Sequence, residues 1–423
     1  MCLLRENLCP KSQGSHDDLC GIVEIMNRSI PGDLNLGQSW LTYPKSIFSV
    51  MTEQANKAGA VNLAQGFPDF DGPQEIKDRA YAAMNTSFVQ NQYAPSVGIL
   101  PLRQALSRHM EKKRQLVFDP LTEVTIFTGA TEALFCAIAA LCQKGDEVLA
   151  FAPFFDSYPA AAMAVGARVR AVNLVPGPHG RWVFNEAELA KAISSKTKVL
   201  LINTPHNPTG KVFTQDELVF LAKLAIKHNL IVVTDEVYEE LTFGEANHVC
   251  MAGLPGMRDR TITISSTSKT FSMTGWKVGY AFASPELSQI LRSLHQFTVF
   301  CTATPLQYGM LAAFELPDSY YDNFRSEYDM RRRFLSKALT ASGFKVHEPE
   351  GSYFIVADYR AIRDITDMEF ANWLTREKKI AAIPIAGFYE DPSESSKSLR
   401  LLRFAFCKRI ETLTAAEKAL QQL

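Results

Sequence analysis

Short apolar runs alternate with amphipathic stretches through the middle of the chain. The runs are "VTIF" (124–127), "EVLAFA" (147–152), "KVLLIN" (198–203) and "LIVVTDE" (230–236), and stretches such as "ATEALFCAIAALC" (130–142) follow with the apolar spacing of a helix. Continuously apolar strands separated by helices are typical of a parallel sheet that is covered on both faces. The pattern therefore predicts an α/β fold whose large domain contains a mostly parallel sheet sandwiched by helices.

The pattern changes toward the C-terminal end of the chain. There "YYDNFRSEYDMRRRFLSKALTASG" predicts one long helix that ends at Gly343, and "SYFIVADY", "MEFANWLTRE" and "LRLLRFAF" follow as strand, helix and strand. This α+β texture predicts a second, smaller domain. We expect the small domain to combine residues 31–67 with 316–423, the large domain to span 68–315, and residues 1–30 to be an N-terminal extension, either ordered or disordered.

Composition and charge narrow the class of partner. The chain has 423 residues, 47% of them hydrophobic, and a formal net charge of -1, which favours a small-molecule partner over nucleic acid. No apolar run approaches the roughly eighteen residues that a membrane helix needs. The 8 cysteines include no Cys-x-x-Cys pair, so we expect them to be reduced and to bind no metal. These features predict a cytoplasmic protein.

The stretch "SSTSKTFSMTGWKVGY" (265–280) places Lys269 among several hydroxyl side chains. Ser266 and Lys269 form a Ser-x-x-Lys, as in penicillin-recognising acyl enzymes, but the Ser-Asp-Asn and Lys-Thr-Gly elements of those enzymes do not follow. A solvated polar loop is a second interpretation. A third is a lysine whose amine binds a carbonyl cofactor.

Polar residues at the ends of two apolar strands support the third interpretation. Asp235 ends one strand, at the edge where ligands gather in open parallel sheets, and a buried carboxylate there needs a cation such as a protonated pyridine nitrogen. An aspartate after a strand also commonly caps a helix, so that interpretation stays open. Asn207 lies in the turn "NTPHNPTG" after another strand and offers an amide donor.

Three further segments offer complementary chemistry. The turn that contains Ala130 and Thr131 opens a helix, and free backbone N–H groups there would suit a phosphate. Phe155, after the next strand, is a candidate for stacking on a planar ring. Arg403 lies within an apolar run, where its guanidinium needs an anion; the anion is either a substrate carboxylate or a structural Asp or Glu.

Taken together, these segments resemble a known family. The motifs "VNLAQGFPDF", "NQYAPSVGILPLR", "NTPHNPTGKVF", "TDEVYEEL", "SKTFSMTGWKVGY", "EGSYF" and "RFAF" are similar to those of fold-type I, pyridoxal-phosphate-dependent aminotransferases of classes I and II. Within that superfamily they resemble the branch of kynurenine (glutamine transaminase K) and methionine aminotransferases. The resemblance runs from about residue 40 to the end, and it implies a seven-stranded type of sheet and pyridoxal 5'-phosphate as cofactor.

The resemblance also implies a role for each motif residue. Lys269 would bind the cofactor covalently and move the proton at the substrate Cα. The other positions assigned to the cofactor are Asp235 at the pyridine nitrogen, Asn207 and Tyr238 at the phenolic oxygen, Phe155 against the ring, and Ala130, Thr131, Ser266 and Lys277 at the phosphate. Arg403, with Asn207 and Gly66, would hold the substrate α-carboxylate. Tyr93 would reach the phosphate of a neighbouring subunit, which implies a homodimer with shared active sites.

The implied activity is ping-pong transfer of an amino group from an amino acid to a 2-oxo acid. Thr131 stands where the human-type kynurenine enzymes carry a tyrosine, so we expect methionine, glutamine and aromatic or other bulky apolar amino acids to be better substrates than kynurenine. Elimination from cysteine S-conjugates, catalysed as a β-lyase on the same scaffold, is one alternative. A non-catalytic pyridoxal-phosphate-binding regulator and the Ser-x-x-Lys acyl enzyme are alternatives from other classes.

Overall fold

The computed structural model describes residue 40 and residues 43–86, 88–389 and 399–423. The described residues from Ser46 to Leu423 form one compact unit. The expected extension, residues 1–30, lies outside the described part of the chain. The division into a small and a large domain remains a prediction.

The described residues include thirteen helices, numbered here in chain order. They are α1 (Ile47–Ala58), α2 (Gln74–Thr86), α3 (Leu100–Arg114), α4 (Ala130–Leu141), α5 (Ser157–Ala164), α6 (Glu186–Ala192), α7 (Gln215–Lys227), α8 (Thr267–Thr270), α9 (Pro285–Thr298), α10 (Thr304–Leu311), α11 (Asp318–Ala341), α12 (Asp367–Glu377) and α13 (Ile410–Leu420). None of these helices is both long and apolar enough to cross a membrane.

The strands of the same residues are likewise numbered in chain order. They are β1 (Val61–Asn62), β2 (Val124–Phe127), β3 (Glu147–Ala152), β4 (Arg168–Asn173), β5 (Val175–Pro176), β6 (Trp182–Val183), β7 (Thr197–Asn203), β8 (Ile231–Asp235), β9 (Thr261–Ser266), β10 (Gly279–Phe282), β11 (Lys345–His347), β12 (Phe354–Asp358), β13 (Ile380–Ala381), β14 (Ile383–Pro384) and β15 (Leu401–Ala405).

The central sheet confirms the predicted α/β architecture. Its seven strands follow the order β2-β10-β9-β8-β7-β3-β4, and all pairs are parallel except those of β10, which is antiparallel to both neighbours. Alternate residues of a strand point to opposite faces. Leu200 and Ile202 of β7 accordingly belong to one hydrophobic core, and Val199 and Leu201 belong to another. Both faces of the sheet are therefore buried, as its continuous apolar strands predict.

The C-terminal third of the chain has the predicted α+β texture. Strands β11, β12, β15 and β14 form a four-stranded antiparallel sheet, in which Val356 lies opposite Arg403. Helix α11 ends at Ala341, and Gly343 follows with a φ of 91°. That left-handed conformation is the usual way for glycine to end a helix, so the predicted stop is confirmed. The sheet carries Arg403 on a central strand, flanked by two others.

Candidate active site

One cavity of about 310 Å³ lies at the carboxyl ends of β7, β8 and β9 and the start of α4. Its lining includes all the predicted site residues except Tyr93: Gly66, Ala130, Thr131, Phe155, Asn207, Asp235, Tyr238, Ser266, Lys269, Lys277 and Arg403. Parallel strands bring their carboxyl ends to the same edge of a sheet, which is why these residues meet although they are far apart in the chain. Tyr93 is 83% exposed and lies against the ring of Phe300, with centroids 5.3 Å apart.

Asp235 is held at the end of β8 inside this cavity. Its carboxylate accepts a hydrogen bond from the Tyr158 hydroxyl at 2.6 Å and a longer one from the backbone N–H of Val237 at 3.5 Å. Burial raises the pKa of Asp235 to about 6, although both hydrogen bonds act in the opposite direction. No helix begins at residue 236, so the helix-cap interpretation of Asp235 is wrong. The site suits a cation placed against this carboxylate.

Asn203 and Tyr158 both form hydrogen bonds to Asp235 at the end of β8. The sequence patterns predicted a role for neither residue. The side-chain amide of Asn203 donates to the backbone carbonyl of Asp235 at 2.8 Å, and its oxygen accepts from the backbone N–H of Asn207 at 2.7 Å. Asn203 therefore ties the end of β7 to the end of β8. Its place as the last polar residue of an apolar strand was the available signal; for Tyr158, three residues after Phe155, there was none.

Lys269 lies in the short helix α8, which directly follows β9. Ser266 caps this helix by accepting a hydrogen bond from the Ser268 N–H at 3.3 Å, and both serines are buried. The solvated-loop interpretation of this segment is therefore wrong. The Lys269 Nζ is 3.5 Å from the backbone carbonyl of Gly66 and 5.7 Å from the centre of the Tyr238 ring. Burial lowers the pKa of Lys269 to about 8.

The lowered pKa of Lys269 predicts a pH dependence of its reactivity. Only the neutral amine is nucleophilic, so modification of Lys269 should rise with pH, reach half its maximum near 8 and level off above that. An exposed lysine, with its ordinary pKa of about 10.4, should still be rising there. Cofactor-free protein would be treated with limiting acetic anhydride at a series of pH values. Peptide mass spectrometry then gives the extent of acetylation of Lys269 and of exposed lysines at each pH. A Lys269 profile that coincides with that of exposed lysines would contradict the effect of burial.

The start of α4 has the features of an anion site. Gly129 precedes the helix with a φ of 79° and offers no side chain to cap it, so the first N–H groups have no cap from this residue. A Cβ on Gly129 would lie only 2.9 Å from the Lys277 Nζ. The glycine therefore permits the close approach of the Lys277 ammonium to the turn. Ser266 lines the same cavity.

Arg403 is fully buried on β15, with 0% exposure. Its guanidinium donates to the Asn207 side-chain oxygen at 2.8 Å and to the Ala64 carbonyl at 2.6 Å, while its Nε has no hydrogen-bond partner. The nearest aromatic ring, that of Phe354, lies 3.9 Å from the guanidinium carbon. Burial lowers the pKa of Arg403 to about 10.

Arg403 has no carboxylate within salt-bridge distance anywhere in the described residues. Among the described residues, Arg403 therefore forms no ion pair with Asp or Glu, although the more distant Asp156 carboxylate acts to raise its pKa. A buried guanidinium needs a compensating anion, and its planar fork suits a carboxylate. Because Arg403 lines the cavity, a small carboxylate that enters it can supply that anion.

These groups fit the demands of pyridoxal phosphate. The chain supplies an amine at Lys269, a carboxylate at Asp235, an amide at Asn207, and a helix start with an adjacent ammonium at Lys277. The amine can react with the aldehyde, and the carboxylate suits a protonated pyridine nitrogen. The helix start and the adjacent ammonium suit the phosphate. Arg403 adds a buried guanidinium at the cavity wall, whose planar fork suits a carboxylate.

Comparisons with known proteins agree with this chemistry. A family model described as aminotransferase class I and II matches residues 58–417. The chain is 40% identical over 388 residues to a probable N-succinyldiaminopimelate aminotransferase of Mycobacterium tuberculosis. The alignment covers 90% of this chain and 96% of that protein. It is 38% identical over 378 residues to methionine aminotransferase of Escherichia coli, covering 89% and 96% respectively.

A solved structure supports the same relationship. N-succinyldiaminopimelate aminotransferase from Mycobacterium tuberculosis superposes with a TM-score of 0.86 at 39% identity, covering 90% of this chain and 97% of that one.

Proposed function

Because the chain belongs to the class I and II aminotransferases, enzymes of fold type I that depend on pyridoxal 5'-phosphate, we propose that it transfers the α-amino group of methionine, glutamine, aromatic or other bulky apolar amino acids to a 2-oxo acid by a ping-pong mechanism. Membership of this family sets aside the acyl enzyme and the non-catalytic regulator. The observation that carries the proposal is Arg403, a buried guanidinium without an ion-pair partner among the described residues, at the wall of a cavity to which five aromatic side chains contribute.

Arg403 and Asn207 position the amino acid. The guanidinium takes the substrate α-carboxylate, and Asn207, already bonded to Arg403 at 2.8 Å, keeps the fork oriented. Fixing the carboxylate restricts the orientations that the substrate can adopt. The Cα–H bond would then be held at a defined angle to the cofactor plane. Gly66, whose carbonyl faces Lys269, lines the same side of the cavity.

Lys269 and Asp235 handle protons and charge. When bound, pyridoxal phosphate supplies an electron sink for the breaking Cα–H bond and carries the amino group between the two substrates. The Lys269 amine, with its pKa lowered to about 8, accepts and returns the Cα proton near neutral pH. Asp235, oriented by the Tyr158 hydroxyl, stabilises a proton on the pyridine nitrogen.

The remaining lining residues would supply the other cofactor contacts. Tyr238 and Asn207 would donate to the phenolic oxygen, and Phe155 would stack on the ring. Ala130, Thr131, Ser266 and Lys277 would hold the phosphate at the start of α4, where backbone N–H groups and the helix dipole favour an anion.

The lining of the cavity supports bulky apolar substrates. Phe48, Phe67, Leu134 and Phe354 contribute apolar surface in addition to Phe155. The cationic side chains that line the cavity, as far as the chain is described, are Lys269, Lys277 and Arg403, and each already has a role in the proposal. A dicarboxylate side chain would therefore find no further cation among the described residues of the same subunit. N-succinyldiaminopimelate is a second candidate substrate because a 40% identical relative carries that name.

A substrate panel tests this proposal. Methionine, glutamine, phenylalanine, kynurenine, N-succinyldiaminopimelate and aspartate would each be tested against one fixed 2-oxo acid, with kcat/KM measured for each. We expect kcat/KM for methionine, glutamine and phenylalanine to exceed that for aspartate by about 100-fold or more, because an uncompensated buried charge costs about 3 to 5 kcal/mol. A preference for aspartate would contradict the apolar assignment, and release of thiol and pyruvate from a cysteine S-conjugate as the fastest reaction would favour the β-lyase.

We further propose that two copies of the chain form a homodimer with shared active sites. Phe88, Tyr93, Phe297, Val299 and Phe300 are all exposed, and the contact between Tyr93 and Phe300 joins two of the segments. Exposed apolar side chains grouped in this way are typical of protein interfaces. In the dimer, Tyr93 would reach the phosphate of the neighbouring subunit. The cytoplasmic location and the lack of nucleic-acid or membrane partners remain predictions from the sequence.

Light scattering tests the dimer. The parent should have twice the mass of one chain, and Phe297→Asp should shift the equilibrium to monomer at micromolar concentration, because a desolvated carboxylate at an interface is costly. Val117→Asp is the matched control, since Val117 is also exposed but lies outside this group of residues. A monomeric parent, or equal effects of the two substitutions, would contradict the proposal.

A further inference from the structure

A buried histidine and a glutamate lie beside the proposed phosphate site without lining the cavity. His295, near the end of α9, is 0% exposed, and its Nδ1 lies 2.7 Å from the Glu132 Oε1. The other ring nitrogen, Nε2, lies 2.8 Å from the backbone carbonyl oxygen of Ser96. Glu132 belongs to the first turn of α4, next to Thr131. Neither residue is used by the mechanism described above.

The hydrogen-bond partners determine the charge of this pair. A backbone carbonyl only accepts, so the His295 Nε2 carries a proton. The Glu132 Oε2 accepts from the Thr128 N–H at 2.5 Å, and Oε1 faces the Thr298 hydroxyl at 2.8 Å. The short contact between the His295 Nδ1 and the Glu132 Oε1 needs one further proton, because two bare acceptors would repel each other. With that proton, the pair of His295 and Glu132 carries no net charge.

The position of Glu132 creates an electrostatic conflict that His295 resolves. The Glu132 carboxylate holds the backbone of Thr128, and this fixes the turn that leads through Gly129 into α4. The same helix start is where the proposed phosphate binds, and two anions at one helix N-terminus repel each other. The proton held between His295 and Glu132 compensates the charge of the carboxylate, so Glu132 can hold the turn without opposing the phosphate.

The pair also connects the phosphate turn to the segment that carries Tyr93. Through Ser96, His295 contacts the stretch between Tyr93 and the start of α3. Through Phe127, whose ring centre lies 4.8 Å from that of the imidazole, it packs against the end of β2. The phosphate turn and the proposed dimer surface are therefore tied to one buried side chain.

We propose that Glu132 and His295 act as positioning residues for the phosphate of the cofactor: Glu132 braces the Thr128–Gly129 turn, and His295 neutralises the charge that this bracing introduces. The proposal rests on the phosphate site assigned above. It adds two residues that touch neither the cofactor nor the substrate, and it assigns them a charge-dependent role that a purely structural contact would not have.

The test measures binding of inorganic phosphate and of pyridoxal phosphate to the cofactor-free full chain by calorimetry. His295→Gln leaves the Glu132 charge uncompensated, so we expect both affinities to fall about tenfold or more, the size of one unscreened charge at short range. Glu132→Gln keeps an oxygen for the Thr128 N–H and removes the negative charge, so it should bind phosphate as well as the parent or better. The double variant should recover affinity to within about threefold of the parent, as expected for two coupled side chains.

The control is His248→Gln, which removes the histidine of another buried pair, 2.6 Å from Glu236, and should leave phosphate affinity unchanged. An unchanged affinity in His295→Gln would overturn the proposal. So would a double variant as weak as the His295 variant, or a Glu132→Gln variant that loses as much affinity as His295→Gln. If His295→Gln does not fold, the phosphate affinity of Glu132→Gln decides: an affinity above that of the parent supports the proposal, and a lower affinity overturns it.

Lys277→Met separates this proposal from the function on which it rests. Unchanged phosphate affinity in that variant would show that the phosphate site itself is wrongly placed. Loss of affinity in Lys277→Met together with parental affinity in His295→Gln would reject only the role of the buried pair.

Discussion

Replacement of Lys269 by alanine should abolish transamination, with a loss of at least about 10,000-fold in kcat. Both proposed roles of Lys269 disappear together, the covalent attachment of the cofactor and the transfer of the Cα proton. General base catalysis alone contributes about 100- to 10,000-fold. The fold should persist, because the only hydrogen bond of the Lys269 amine among those described is a long one, 3.5 Å, to the Gly66 carbonyl. Circular dichroism and thermal unfolding check this second point.

The second lysine of the cavity provides the matched control. Lys277→Ala should weaken cofactor binding but retain turnover once the cofactor is saturating, because the proposed role of Lys277 is to supply charge at the phosphate and not to transfer a proton. Borohydride reduction of the loaded parent should fix the cofactor on Lys269 as identified by peptide mass spectrometry, and the Lys269→Ala protein should not be labelled. A full-rate Lys269→Ala enzyme, or label on another lysine, would reject the catalytic assignment.

Replacement of Arg403 by alanine should raise KM for the amino acid about 100-fold or more while cofactor affinity changes little. The substrate carboxylate would lose a charge-assisted, two-point contact in a cavity with no other free cation among the described residues, and contacts of that kind are worth about 2 to 5 kcal/mol. Arg403→Lys should recover only part of the loss, because an ammonium lacks the planar fork. Steady-state kinetics and titration of the cofactor give the two quantities separately.

A buried arginine elsewhere separates binding from packing. Arg331 is also buried against aromatic rings, with its guanidinium 4.8 Å from the Phe70 ring, but it lies outside the cavity lining and pairs with Glu327. Arg331→Ala should lower stability with little change in KM. If Arg403→Ala reduces cofactor and amino-acid binding equally, or if Arg331→Ala raises KM to the same extent, Arg403 has a structural role.

Much of the candidate site could be predicted because strand ends are a local feature. Asp235 and Asn207 each stand just after an apolar run, and a parallel sheet places such positions at one edge whatever lies between them in the chain. Ala130 and Lys269 follow the same logic at the starts of helices. What the pattern misses are side chains that reach the site from a separate helix, such as Tyr158 in the first turn of α5, whose hydroxyl donates to Asp235.

The chemical state of each residue also lay beyond the sequence. Lys269 has a pKa near 8 because the surrounding structure removes it from water, and Asp235 has a pKa near 6 for the same reason. The sequence left two interpretations of Arg403 open, a structural ion pair and a ligand site. The tertiary structure shows that its described neighbours are the Ala64 carbonyl and the Phe354 ring, where an ion pair would need a carboxylate. Burial depends on residues hundreds of positions away, which no local pattern contains.

By itself, then, the sequence determined the fold class, the order of the strands and helices along the chain, and the residues that end those strands, because periodicity and turn chemistry are set by neighbours in the chain. The tertiary structure alone decided which polar groups are buried, which find partners, and which remain for a ligand. The pair of Glu132 and His295 is the clearest case, since 163 positions separate two side chains that meet at 2.7 Å. Their meeting depends on how α4 and α9 pack, and packing is a property of the whole chain.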